Sequence, residues 1–142
     1  MLIERELATP GRTLRRLPPC RIRIACGTQS LELHLRCLES LEEYRQCELL
    51  QSRIWGPADV GCVSPLVMMT AQENGGMAIG AFVEERLVGF VCSFLGLTET
   101  GMLKQCSVLM AVDPEFRQAK IGFHLKRMQR EAALAQGIDL IT

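Results

Sequence analysis

The residues best suited to chemistry lie in one stretch, VDPEFRQAKIGFHL, from Val112 to Leu125. An apolar run meets Pro114, a short basic segment carries Arg117 and Lys120, and Gly122 opens a helical pattern. Strand, basic turn and helix start in succession are the parts of an anion site made from backbone amides. A helix N-terminus offers unpaired N–H groups and the positive end of the helix dipole, and both suit a phosphate. The amides of Gln118, Ala119, Lys120, Ile121, Gly122 and Phe123 are the expected donors, with the Arg117 guanidinium as a charged supplement. The competing reading is a plain strand-to-helix connection, because arginine and glycine are common in such turns.

Groups for proton transfer or nucleophilic attack are sparser. Glu99 precedes the strand that feeds the turn, and Cys106 and Ser107 place polar atoms within that strand. These three are weak catalytic candidates; an exposed loop carboxylate is the blander account of Glu99. No histidine or acid can be paired with Cys106, which argues against a nucleophilic cysteine. His34 and His124 fall on polar positions and read as surface residues. Seven cysteines occur without a Cys-x-x-Cys pair, so no metal is expected. They read as reduced thiols behaving as small hydrophobes, which points to the cytoplasm.

The elements that must position these groups follow from local pattern. Residues 1–28 contain two proline breaks and read as an irregular basic arm, with a short strand at Arg21–Ala25. LELHLRCL, residues 31–38, alternates as a half-buried strand does. Ser40 and Glu43 form a capping box that starts a helix with Tyr44, Cys47, Leu50 and Ile54 on its apolar stripe, ended by Gly56-Pro57. Ser64-Pro65 starts a second helix that stops at Asn74. Two apolar runs from Met77 to Leu97 flank Glu84-Glu85-Arg86 as a hairpin, with Gly89 leaving room for a close neighbour. A strand over residues 102–112 follows, then a helix over Gly122–Gln136 with Ile121, Leu125, Met128, Ala132 and Ala135 as its buried stripe. Gly137 caps that helix, and Ile138–Ile141 is a short strand parallel to Leu103–Val112.

Composition excludes more than it assigns. The chain has 142 residues, 48% hydrophobic and 23% charged, with zero formal charge, as suits one globular domain with a real core. No apolar run approaches the ~20 residues of a membrane span, and the first residues lack a secretory pattern. Residues 1–30 carry six arginines against Glu4 and Glu6. A solvated tail explains that excess better than a nucleic-acid contact, since only 5% of residues are aromatic and stacking partners are few.

The order of elements, with VDPEFRQAKIG, resembles the GNAT family of acyl-CoA-dependent N-acyltransferases over roughly residues 30–142. That family joins its fourth strand to its third helix with Arg/Gln-x-x-Gly-x-Gly/Ala, commonly after Val-x-Pro-x-Tyr/Phe. Val112, Pro114, Phe116, Arg117 and Gly122 match. The resemblance implies an α/β fold with a mixed sheet and an acyl-CoA co-substrate, acetyl-CoA or another, without metal. It further implies that strand backbone at Met110, Ala111 and Val112 pairs with the pantetheine arm, and that an unidentified amine is the acceptor. The family's usual first glycine falls at Lys120. A positive φ there costs about 1–2 kcal/mol; with a negative φ, its Cβ crowds the phosphate approach while its ammonium favours an anion.

GNAT domains continue past their fifth strand with a helix and two more strands; ALAQGIDLIT resembles a poorly characterised bacterial subgroup of that family, in which this strand runs on into a tryptophan-containing segment and an asparagine-bearing helix. Because the sequence stops at Thr142, the expectation is a GNAT-like domain over 29–142, truncated after the family's fifth strand. It is then either an incomplete acyltransferase or one completed by a partner, such as a homodimer formed through the exposed terminal strand. The alternative from another class is a non-catalytic CoA-binding or assembly module.

Overall fold

The structure, a computed structural model, describes residues 16–57 and 61–142, so most of the basic arm lies outside the described residues. Strands β1 (Cys20–Cys26), β2 (Gln29–Cys37), β3 (Met77–Val83), β4 (Arg86–Leu97) and β5 (Leu103–Val112) form one antiparallel sheet in that order. Helices α1 (Leu41–Trp55) and α2 (Pro65–Glu73) connect β2 to β3, and α3 (Ile121–Ala135) follows β5. The terminal segment adds a parallel bridge, Gln105 to Ile141, which makes the sheet mixed. No helix of the described residues is long and apolar enough to cross a membrane.

Regular structure begins earlier than an arm over residues 1–28 implies. The strand expected at Arg21–Ala25 is β1, paired with β2 from Cys20–Leu35 to Cys26–Gln29. Ile22 and Ile24 pack against the core while Arg21 and Arg23 are exposed. Only two apolar residues alternate here, so the signal is short, and the hairpin rather than the alternation stabilises it.

Local chemistry sets the helix ends. Ser40 Oγ accepts from Glu43 N–H at 3.3 Å, and the Glu43 carboxylate accepts from Glu39 N–H at 2.7 Å and Ser40 N–H at 3.4 Å. This satisfies donors that the first turn of α1 leaves unpaired. Ser64 caps α2 through Val67 N–H, with Pro65 in the first turn where no amide is missed. At the end of α3, Gly137 N–H reaches Leu134 C=O and Ile138 N–H reaches Ala133 C=O, both at 2.9 Å. That pair of bonds, with φ 75° at Gly137, is a Schellman closure. It brings Ile138 onto Ala133, so Ala133 and Gln129 join the buried face and Ala135, expected there, is exposed.

Cores form on both faces of the sheet. Ile121, Leu125 and Met128 of α3 pack against Leu33, Ile79, Val88 and Val91. On the other face, Tyr44, Cys47 and Met68 pack against Phe82, Phe90 and Ala111. Burial on both sides is why β3 and the first half of β4 read as near-continuous apolar runs. Gly89 sets the approach of α3: a Cβ there would lie 3.2 Å from Ile121 Cγ2 and 3.3 Å from Leu125 Cδ1. Of the cysteines, only Cys47 and Cys92 are core residues; burial pushes the Cys92 thiol up to about 11 and the Cys47 thiol higher still. Cys20 is exposed and the other four are half-buried, Cys26 and Cys37 among them packing against the core as small hydrophobes.

Candidate functional site

A bulge in β5 shapes the site. Cys92 pairs with Leu109 but Ser93 pairs with Ser107, which leaves Val108 as the extra residue. Such a bulge reverses which backbone groups face each neighbour. Before it, Gln105 N–H donates to Leu140 C=O at 2.9 Å and Ser107 N–H to Thr142 C=O at 2.8 Å. After it, Asp113 N–H donates to Val88 C=O at 2.8 Å, back toward β4. Alternation then turns Ala111 toward β4 and the N–H and C=O of Met110 and Val112 outward. Beyond Ser107, no strand among the described residues pairs with this outer edge.

The edge leads into the turn, whose start is fixed by Asp113. Its carboxylate is 1% exposed and caps a 3-10 helix (Pro114–Ala119) by accepting from Glu115 N–H at 3.0 Å. Two arginines from distant segments converge on it. Arg53 of α1 donates at 2.9 and 3.3 Å, and Arg86 of β4 donates at 2.8 Å while also pairing with Glu115 at 2.7 Å. Arg86 also lies over the Phe116 ring, 5.4 Å from its centroid. Burial alone would raise the Asp113 carboxyl; the Glu115 amide, the Arg86 hydrogen bond and the two guanidinium charges outweigh it and hold the group below the ordinary carboxylate range.

Lys120 joins the 3-10 helix to α3 in the left-handed conformation, φ 57° and ψ 24°. The positive-φ alternative is therefore the one realised at the family's glycine position. Lys120 contributes no side-chain cap to α3, and the first bond of the helix runs from His124 N–H to Lys120 C=O at 3.2 Å. The helix thus offers no acceptor to the N–H groups of Ile121, Gly122 and Phe123. Gln118 and Ala119 lie inside the 3-10 helix, where i to i+3 bonding engages amides, and Ala119 is buried in the core. Of the six amides expected, those of Ile121, Gly122 and Phe123 are the ones the helix start leaves open. Arg117 and Lys120 are exposed and join none of the ion pairs among the described residues. Burial, then the charges of Arg127 and Lys120, hold the His124 imidazole below its ordinary value. Lys120→Gly should raise stability by about 0.5–1 kcal/mol by relieving the left-handed strain, less the entropy that glycine loses. Chemical denaturation checks this; unchanged stability would mean the lysine is unstrained there.

The helix start and the strand edge adjoin: a Cβ on Gly122 would lie 3.3 Å from Met110 Cε and 3.8 Å from Val112 Cγ2. Outward strand groups and unpaired helix amides therefore form one continuous surface. Of the weak catalytic candidates, Glu99 is exposed in the tight turn between β4 and β5, where Thr98 N–H bonds Met102 C=O at 2.8 Å. Cys106 is half-buried, with Sγ against Gly96. Ser107 is engaged by α3: Lys126 Nζ donates to its Oγ at 2.6 Å, and Gln129 Nε2 approaches at 3.2 Å. The structure does not bring Glu99, Cys106 and Ser107 into one bonded cluster. Sequence reasoning missed Asp113 with Arg53 and Arg86, and Lys126 with Gln129. The Asp-Pro-Glu step signals a local cap, but nothing local ties Asp113 to residues 60 and 27 positions away.

No family model matches the sequence, and no curated protein matches it. Solved structures do. An aminoglycoside acetyltransferase from an uncultured soil metagenomic sample, crystallised with trehalose, superposes with a TM-score of 0.67 at 16% identity, covering 78% of this chain and 75% of that one. A GNAT-family acetyltransferase from Streptococcus pneumoniae gives 0.60 at 14% identity, over 75% and 69% of the two chains. An aminoglycoside 6'-N-acetyltransferase complexed with coenzyme A gives 0.59 at 19% identity, over 72% and 56%. At these identities the likeness is one of architecture. The chain has the fold of the GNAT acetyltransferases.

Proposed function

We propose that this chain is an acyl-CoA-dependent N-acyltransferase, using acetyl-CoA or a related acyl-CoA on an amine. The observation that carries the reading is the continuity of the Met110–Val112 edge with the uncapped start of α3. The Ile121, Gly122 and Phe123 amides suit a pyrophosphate, and the exposed Arg117 and Lys120 add positive charge beside it. The outward N–H and C=O groups of Met110 and Val112 suit an amide-bearing arm laid alongside as an extra strand. When bound, acyl-CoA supplies an activated thioester. The chain's own contribution is to hold that arm in one orientation, which converts a bimolecular encounter into a positioned one. The solved acetyltransferases of the same architecture, one of them complexed with coenzyme A, support the assignment.

Isothermal calorimetry with CoA tests it. A saturable heat at one CoA per chain is expected, weakening as salt is raised because the phosphate contacts are charge-assisted. Absence of saturable heat would overturn the CoA reading.

A further inference from the structure

The bulge that opens the β5 edge also decides where an arm laid along it must end. The open stretch runs from Val112 back to Val108 and closes at Ser107, whose N–H is taken by Thr142 C=O at 2.8 Å. From Val112 to Ser107 is five residues of strand, about 17 Å at ~3.4 Å per residue. An extended pantetheine arm, anchored by its phosphates at α3, has about that reach. The side chains waiting at the closed end belong to α3. Lys126 Nζ lies 2.6 Å from Ser107 Oγ and 3.1 Å from Gln129 Oε1, and Gln129 is wholly buried. Lys126 also lines a groove between α3 and the terminal segment, shared with Ile138 and Ile141.

We infer that Lys126, held in place by Ser107 and Gln129, is the proton donor to the departing thiolate. The inference rests on the CoA reading above. As the amine nitrogen bonds to the acyl carbon, the carbon–sulfur bond breaks and its electron pair leaves on sulfur. A proton passes from the Lys126 ammonium to that sulfur, giving the free thiol and a neutral lysine. The surplus proton of the attacking amine goes to solvent, and Lys126 is recharged from solvent. Ser107 and Gln129 are positioning residues: they fix the ammonium through oxygen acceptors while leaving it a third N–H to direct at sulfur.

Lys126 is exposed overall, and partial desolvation where it lies against Ser107 and Gln129 draws its ammonium somewhat below the ordinary value. That moves it toward the range of an alkyl thiol, about 8.5, where proton transfer is better matched. Arg130 and Asp139 face the same groove from the helix and the terminal segment, with opposite charges. The cation fixed at the Ser107 end is Lys126.

The test reads the thiol of bound CoA directly, without an acceptor amine. Wild type and Lys126→Gln are saturated with CoA, and thiolate formation is followed by ultraviolet absorbance across pH. A neighbouring ammonium should lower the thiol pKa by about one unit in the wild type relative to Lys126→Gln. Lys126→Met provides the same comparison should the glutamine variant fail to fold. Equal thiol titrations in proteins that both bind CoA would overturn the role of Lys126 and leave the CoA reading standing. A wild type that gives no calorimetric binding of CoA would overturn both. A purely structural tie between α3 and β5 would change melting temperature but leave the bound thiol's titration unmoved.

Discussion

Gly122→Asp should weaken CoA binding by at least about a hundredfold while leaving the fold as stable as before, or slightly more so. The two effects have separate causes at one position. A Cβ at Gly122 meets the mobile end of Met110 at 3.3 Å, a contact that a flexible methionine side chain can yield. An aspartate in the first turn of α3 also interacts favourably with the helix dipole, by roughly 0.3–1 kcal/mol. The same carboxylate competes for the Ile121, Gly122 and Phe123 amides and repels a pyrophosphate placed there. Like charges brought together at a binding surface cost several kcal/mol, and about 3 kcal/mol is a factor near a hundred. Calorimetry with CoA and a melting curve on the same preparation check both halves. Equal heats from the two proteins would place the anion site elsewhere.

Asp113→Ala should act in the opposite way, lowering stability by about 2–3 kcal/mol, or about 6–9 °C in melting temperature for a chain of this size. The buried carboxylate accepts two bonds from Arg53, one from Arg86 and the Glu115 N–H that starts the 3-10 helix. Removing it strands those donors. The loss stays below that of a fully buried pair because Arg53 and Arg86 are about half exposed, 52% and 51%, and regain water. The effect has a definite pH dependence. The folded carboxyl titrates below its unfolded value of about 3.9, so its contribution is complete above that value and is lost as pH falls through the folded pKa. The wild-type and variant stabilities should differ most above about pH 5 and converge in strong acid. Urea denaturation at several pH values measures this; a gap that does not close on acidification would separate the stabilisation from the ionised carboxylate.

The contrast between Gly122 and Asp113 shows which parts of the site were legible in the sequence. The turn was found because its signals are contiguous: an apolar strand, Pro114, a basic pair and a glycine at a helix start. Ser40 with Glu43, and Ser64 with Pro65, marked helix starts for the same reason, since each cap bonds within three residues. The clamp on Asp113 was invisible because Arg53 and Arg86 reach it only once α1 and β4 have packed around the turn. The same holds for Ser107 and Lys126, nineteen residues apart and joined only when α3 lies across β5.

By itself, the sequence determined the order of strands and helices, their caps and the place of the basic turn, because backbone bonding and side-chain periodicity are local. The tertiary structure alone decided that Val108 bulges and reverses the edge of β5. It also set Lys120 in the left-handed conformation and brought Arg53, Arg86 and Lys126 to their partners. The physical reason is that those outcomes depend on which surfaces meet across the sheet, and single-sequence patterning carries no record of contacts between segments so far apart along the chain.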